Sequence, residues 1–317
     1  MLEVHVTGKT VEALGICSFE LRAIDGGPLP AFEAGAHVDV YIAPGLTRQY
    51  SLCNDPHERH RYLIGVLRDP ASRGGSNALH DTLHVGQTLT IGTPRNLFAL
   101  AQSGTRHVLL GGGIGITPML AMAHELHHRG ADFELHYCFR SRDRAAFIPT
   151  LEQGAFARHL YLHDDNGAAG QKLDAPALLG TPTSGSHLYV CGPGGFMQHI
   201  LDTARSAGWP EAQVHREFFA ATATDPATNT AFEIELASSG RVLCVPPERT
   251  VFEVLDEAGV MIDSSCEQGV CGTCMTRVLA GIPDHRDQFL TPAEQAANDC
   301  FLPCCSRARS TRLVLDL

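Results

Sequence analysis

The sequence lacks the long hydrophobic run that a membrane-spanning helix requires. Its 317 residues contain no stretch of about 18 consecutive apolar side chains. The N-terminus, MLEVHVTGKTVEAL, has no basic region followed by an apolar core and a small-residue cleavage site, as a secretory signal would. We therefore expect a cytoplasmic protein that does not associate with a membrane.

An excess of positive charge is missing too. The formal net charge is −11, from 24 Lys and Arg against 35 Asp and Glu. Because phosphate contacts depend on clustered Lys and Arg, this composition argues against nucleic-acid binding. Residues 226–317 carry 13 acidic and 7 basic side chains, which suits docking to a partner protein of complementary charge.

Cysteine, by contrast, is abundant. Of the 11 cysteines, six lie in the last 52 residues, which in a reducing compartment indicates metal or redox chemistry rather than disulfides. Cys266, Cys271 and Cys274 have the Cys-x4-Cys-x2-Cys spacing of a plant-type [2Fe–2S] site, which needs a fourth thiolate. CFLPCCSRARS offers three further cysteines. Zinc is the alternative, but it usually takes two Cys-x2-Cys pairs and this region has one.

Three stretches with different hydrophobic patterns predict a multidomain fold. Residues 1–100 contain short alternating strands such as AHVDVYIA and QTLTIGTP, which indicate an antiparallel barrel. Residues 101–225 alternate strands with helices, which is typical of an α/β domain with a parallel sheet. Residues 226–317 combine a hairpin, a short helix and further strands. The small and polar stretch 220–231 is predicted to be a linker.

A glycine-rich turn, LLGGGIGITPM, follows an apolar strand and opens a helix. We predict Thr117 as the N-cap and Pro118 as the first helical residue. Backbone N–H groups at such a helix start can bind a pyrophosphate. A standard G-x-G-x-x-G fingerprint is absent, because Pro118 occupies its third glycine position.

Together these motifs resemble the family of phthalate dioxygenase reductase and vanillate demethylase reductase. The resemblance rests on TRQYSLCND, SRGGSNALHD, LLGGGIGITPM, YVCGPGGFM and CEQGVCGTC with its downstream CCSRA. It implies an FMN-binding β-barrel domain over 1–100, an NAD-binding α/β domain over 101–225 and a plant-type [2Fe–2S] ferredoxin domain of β-grasp type over 226–317. It also implies Cys304 as the fourth cluster ligand, with Cys300 and Cys305 as alternatives on spacing.

The resemblance also assigns individual residues. Ser51 and Cys191 would lie where hydride is transferred. FMN is expected rather than FAD because of the Gly-Gly-Ser turn, and NADH rather than NADPH despite the arginines of FRSR. The flavin contacts would come from Arg48, Gln49, Tyr50, Ser51, Leu52, Val66, Gly74, Gly75, Ser76 and Phe219, with Phe218 competing for the last position. The nucleotide contacts would come from Gly113, Gly115, Thr117, Pro118, Arg140, Cys191, Gly192, Pro193 and Met197.

The expected activity follows from the order of the cofactors. NADH delivers two electrons as hydride, a [2Fe–2S] cluster accepts one at a time, and a flavin connects the two. By resemblance, the electrons leave for a Rieske-type oxygenase acting on an aromatic carboxylate or a methoxy-aromatic compound. The alternatives are a free-standing NADH-dependent quinone or ferric reductase, and a ferredoxin-type electron carrier.

One further motif, HELHH at residues 124–128, formally matches the His-Glu-x-x-His of zinc enzymes. It falls at the end of the helix that the glycine loop opens, where histidines are favourable to the helix dipole. The sequence indicates no third ligand, so we interpret the motif as a helix end.

Overall fold

The computed structural model describes residues 1–70, 72, 74–219 and 229–317, which form two compact units, Met1–Glu217 and Phe218–Leu317. Most of the predicted linker lies outside the described residues. The predicted domain boundaries at residues 100 and 225 therefore stay predictions. None of the helices in the described ranges has both the length and the apolar character that crossing a membrane requires.

The first unit begins with an antiparallel sheet in the order β4-β3-β6-β1-β2-β5. Side chains such as Val4 and Val6, two residues apart on β1, point inward and are fully buried. A bridge between Leu52, just after β4, and Ile64 on β5 joins the two edges and closes the barrel that the sequence predicts. The elements are β1 (Leu2–Ala13), β2 (Ile16–Ala23), β3 (His37–Ala43), β4 (Leu46–Ser51), β5 (Tyr62–Leu67), α1 (Gly75–Thr82) and β6 (Thr88–Ile91).

A parallel sheet in the order β11-β10-β7-β8-β9 completes this unit. Chain order runs outward from β7 in one direction to β9 and in the other to β11. The carboxyl ends of β7 and β10 therefore form the switch point at which such sheets bind ligands. The elements are β7 (Arg106–Gly112), α2 (Ile116–His128), β8 (Phe133–Phe139), α3 (Ile148–Gln153), β9 (Leu160–Asp164), α4 (Ala175–Leu179), β10 (Ser186–Cys191), α5 (Gly194–Ser206) and β11 (Val214–Glu217).

The second unit is a mixed sheet in the order β13-β12-β18-β14-β16, with β12 and β18 parallel. One helix, α6, packs its buried Val251 and Leu255 against Ile234 and Leu313 of the sheet. The cysteine loop runs between α6 and β14. The elements are β12 (Phe232–Leu236), β13 (Arg241–Val245), α6 (Val251–Glu257), β14 (Thr276–Ala280), β15 (Pro283–Asp284), α7 (Pro292–Ala297), β16 (Cys300–Phe301), β17 (Arg307–Ala308) and β18 (Arg312–Leu315).

Candidate functional site

Strand β4 and helix α1 together form a candidate phosphate site. Gly74, with φ 96°, precedes α1, and Gly75 is its first residue. A Cβ on Gly75 would lie 2.7 Å from Arg48 Cγ and 3.1 Å from Arg48 Nε, so only glycine lets the arginine lie against the helix start. A cationic side chain beside the N–H groups of a helix N-terminus is an anion site. Ser76 closes the preceding loop by accepting the Asp69 N–H at 3.2 Å.

The other predicted flavin residues flank this site in the barrel. Gln49 donates to Asp39 Oδ1 at 3.0 Å, and Tyr50 is half-buried beside it on β4. Leu52 and Val66 are fully buried, so they form the barrel wall. The structure thus places nine of the ten predicted flavin residues on β4, β5, α1 or the turns next to them. Phe219 is half-buried at the start of the second unit, and its contact with a flavin stays a prediction.

The glycine loop differs from its sequence prediction in one detail. A 3₁₀ turn, Gly113–Gly115, precedes α2, and Gly115 is the N-cap. Thr117 and Pro118 are therefore already inside the first helical turn, and their predicted cap and first-residue positions are wrong. The Thr117 hydroxyl instead donates to the Ile114 carbonyl at 3.0 Å. The extra 3₁₀ turn starts the helix early, with its N–H groups still facing the sheet's carboxyl edge.

The second nucleotide motif lies directly beside the first. Strand β10 pairs with β7 in parallel and ends at Cys191. A Cβ on Gly115 would overlap the Cys191 carbonyl, so the two loops approach more closely than any other residue would allow. Gly192 follows, Pro193 is the N-cap of α5, and Met197 on the first turn of that helix is fully buried.

Glu217, which no sequence motif indicated, links the two halves of the site. It is the last residue of β11, where it pairs in register with Cys191. Ser51 Oγ donates to Glu217 Oε2 at 3.3 Å, although 166 residues separate them. Burial raises the pKa of Glu217 to about 8, so its carboxyl is mostly protonated at pH 7. The only sequence signal was an acidic residue at the end of a strand, HRE.

Cys191 is a neutral thiol rather than a reactive thiolate. Its side chain is fully buried, and burial together with the Glu217 carboxyl raises its pKa well above the ordinary value. A thiol of this kind is a poor nucleophile. Cys191 can therefore shape the site and contact a ligand, but it is not suited to covalent chemistry.

Arg140 lies exposed on the turn after β8, at the same carboxyl edge of the sheet. Its neighbour Arg142 donates to Glu152 Oε1 at 2.6 Å. The two arginines of FRSR are therefore not equivalent, since the second is already engaged in an ion pair.

The cysteine loop gathers four thiols in two pairs. The structure describes all eleven cysteines of the chain and joins none of them by a disulfide. Cys266 and Cys271 form one hydrogen-bonded pair, which lowers the pKa of Cys271 to about 5 and raises that of Cys266. Cys274 and Cys304 form the other pair, and their contact raises the pKa of Cys274. All four side chains are buried.

The pairing of the thiols distinguishes Cys304 from Cys305 as the fourth ligand, and a [2Fe–2S] cluster from a single zinc ion. Cys304, not Cys305, contacts Cys274, whereas Cys305 Sγ lies against Gly269 and Cys300 begins β16. Within the described residues, no three cysteine sulfurs all lie within 4.8 Å of one another. A single zinc ion with Zn–S bonds of about 2.3 Å would bring all four that close. Two separate pairs suit two iron ions, each taking two thiolates, so these residues fit a [2Fe–2S] cluster.

Comparison with known proteins agrees with this geometry. Residues 234–309 match the family model of the 2Fe-2S iron-sulfur cluster binding domain, and residues 93–214 match that of the dimethylamine monooxygenase subunit DmmA-like, N-terminal domain. The vanillate O-demethylase oxidoreductase of Pseudomonas sp. (strain HR199 / DSM 7063) is 56% identical over the full length of both chains. The phthalate dioxygenase reductase of Burkholderia cepacia is 40% identical over 100% of this chain and 97% of its own.

A solved structure shares the whole fold. It is a phthalate dioxygenase reductase described as a modular structure for electron transfer from pyridine nucleotides to [2Fe–2S]. It superposes with a TM-score of 0.80 at 39% identity, covering 100% of this chain and 98% of that one. This chain therefore belongs to the family of phthalate dioxygenase reductase and vanillate O-demethylase oxidoreductase, the [2Fe–2S]-containing oxidoreductase components of oxygenase and demethylase systems.

Proposed function

We propose that this chain supplies electrons from NADH to a Rieske-type oxygenase that demethylates vanillate or a closely related methoxy-aromatic acid. The contact of Ser51 with Glu217, which pairs with Cys191, carries this proposal. The contact joins the end of β4, which carries the predicted flavin residues, to the end of β10, which carries the predicted nucleotide residues. Direct hydride transfer between two stacked rings requires such proximity. The 56% identity to a vanillate O-demethylase oxidoreductase supports the choice of partner.

In this proposal the first unit positions the two ligands. Arg48 and the N-terminus of α1 neutralise the phosphate of FMN, since both present positive charge at one point. Ser51 places a hydroxyl at the ring-facing end of β4. Glu217 holds its proton at neutral pH, which keeps a negative charge away from the place where the rings meet. The turn at Gly113–Gly115 and the start of α2 bind the pyrophosphate of NADH.

The second unit provides the exit. Cys266, Cys271, Cys274 and Cys304 would hold the cluster, and bound FMN supplies the conversion from two-electron to one-electron transfer. Backbone N–H groups of Val270 and Gly269 point at the Cys266 and Cys304 sulfurs, and such hydrogen bonds tune a cluster's potential. The acidic balance of residues 226–317 favours a basic docking face on the oxygenase.

Two finer points belong to the same proposal. We favour NADH over NADPH, because Arg142 is already paired with Glu152 and only Arg140 is left to meet a 2′-phosphate. We place the protein in the cytoplasm, where reducing conditions keep four cluster thiolates and seven other cysteines out of disulfides.

The test is reconstitution with a purified vanillate-demethylating oxygenase. We expect anaerobic NADH to bleach both flavin and iron–sulfur absorption. In air, adding oxygenase and vanillate should couple NADH oxidation to demethylation. The Cys304→Ser variant is the matched control, which should still oxidise NADH at the flavin but support no demethylation. NADH oxidation that serves quinone or ferric iron and never the oxygenase would instead indicate a free-standing reductase.

A further inference from the structure

A second cluster of metal-binding side chains lies in the first unit, away from the thiols. Asp55 Oδ2 accepts a hydrogen bond from His128 Nε2 at 2.8 Å, and Asp55 Oδ1 lies 3.3 Å from His57 Nδ1. One ligand atom from each of the three residues lies within 4.8 Å of the other two. We propose that Asp55, His57 and His128 form a zinc-binding site.

The donor set favours a transition metal such as zinc over Mg²⁺ or Ca²⁺. Two imidazole nitrogens and one carboxylate oxygen are the ligands of zinc sites, whereas Mg²⁺ and Ca²⁺ take mainly oxygen ligands. His124 Nδ1 lies 3.8 Å from Asp55 Oδ2, next to the group of three but not part of it. His124 and His128 are four residues apart and share one face of α2.

Two different parts of the chain supply the ligands. Asp55 and His57 come from the loop after β4, and His128 is the last residue of α2. That loop is fixed before any metal binds, because the buried Asn54 donates to the Asp55 and Arg61 carbonyls, each at 3.2 Å. Preformed ligands lose less entropy on binding than mobile ones. The side chains of His57 and His128 are 61% and 45% exposed, so zinc can enter from solvent.

The site differs from that of a His-Glu-x-x-His zinc enzyme. Glu125 of the HELHH motif accepts a hydrogen bond from Arg129 Nε through Oε1 at 2.6 Å, while its Oε2 lies 3.8 Å from His57 Nδ1. The ligands come from the barrel side as much as from the helix. Zinc would therefore tie the flavin barrel to the end of the nucleotide helix, and we assign it a stabilising role rather than a catalytic one.

The experiment is calorimetric titration of the cluster-loaded holoprotein with ZnCl₂. We expect one zinc per chain, with affinity reduced at least about tenfold in Asp55→Asn and in His128→Gln. His127→Gln is the matched control, since it removes the adjacent imidazole and should bind zinc as the wild type does. The cysteine loop is the same in all four proteins, so any difference belongs to the proposed site.

Thermal unfolding, monitored through the release of flavin, gives a second readout. Zinc should raise the midpoint of the wild type and of His127→Gln but not of the other two variants. NADH oxidation without zinc should be equal in all four, which shows that the variants fold. Equal zinc affinity in wild type and Asp55→Asn, or no zinc bound by the wild type, would overturn the proposal. Asp55, His57 and His128 would then only hydrogen-bond to one another, without binding a metal.

Discussion

Replacing Glu217 with glutamine tests whether the carboxyl at the centre of the first unit is neutral. Burial shifts the pKa of this group from an ordinary value of 4.5 to about 8. At about 1.4 kcal/mol per pKa unit, the charged form is disfavoured in the folded protein by about 5 kcal/mol. Because part of Glu217 is accessible to solvent, this figure is an upper bound.

The sign of the pH dependence follows from proton balance. Between pH 4.5 and 8 the folded protein holds a proton on Glu217 that the unfolded chain has lost. The free energy of unfolding therefore falls as pH rises through this window, and the full penalty applies above pH 8. The amide of the Glu217→Gln variant cannot ionise and escapes the penalty. The difference in the free energy of unfolding between the variant and the wild type should therefore increase steadily from pH 4.5 to 8. Above pH 8 it should stay constant.

The assay is thermal unfolding of the holoprotein at half-unit steps from pH 5 to 9. Glu211→Gln is the matched control, because Glu211 is 78% exposed and its ion pair with Arg216 lies on the surface. The control should track the wild type at every pH. If Glu217→Gln also tracks it, the carboxyl titrates normally and the neutral-acid interpretation is refuted.

Two other variants test the cofactor sites. Cys304→Ser should abolish the visible absorption of the cluster and its EPR signal after reduction, whereas Cys305→Ser should keep both; the reverse result would move the fourth ligand to Cys305. Arg48→Gln should weaken FMN binding by about 2 kcal/mol, or about thirtyfold, through loss of a charge-assisted phosphate contact. Recovery of free-flavin fluorescence on dilution measures this affinity, and Arg68→Gln, which breaks only an exposed pair with Asp81, should leave it unchanged.

The sequence predicted best those features that depend on neighbours in the chain. Strands such as β3 and β6 were predicted because their short apolar runs alternate and end at turn residues. The first two strands, Leu2–Ala13 and Ile16–Ala23, were not singled out. In β1 the buried Val4 and Val6 give way to Gly8, Lys9 and Thr10, so the alternation is lost halfway along the strand.

The sites divide in the same way. Three of the four predicted cluster ligands could be proposed from spacing because they follow one another within nine residues, whereas Cys304 came from the family resemblance. The contact of Ser51 with Glu217 could not be predicted from the sequence, because the two residues are 166 positions apart and only the fold brings them together. The proximity of HELHH to Asp55 and His57 was hidden for the same reason, because those two residues come from the loop after β4. The predicted N-cap position of Thr117 was wrong because the 3₁₀ turn ahead of α2 has no clear sequence signal.

The close approach of Gly115 to the Cys191 carbonyl has an evolutionary consequence. The two loops lie on hydrogen-bonded neighbouring strands with no room for a single added carbon atom between them. A larger residue at Gly115 would therefore require a matching change in the neighbouring loop, so this part of the proposed nucleotide site resists stepwise change. Under the proposed function, a change in cofactor preference is expected instead at the turn around Arg140, where the side chain is exposed.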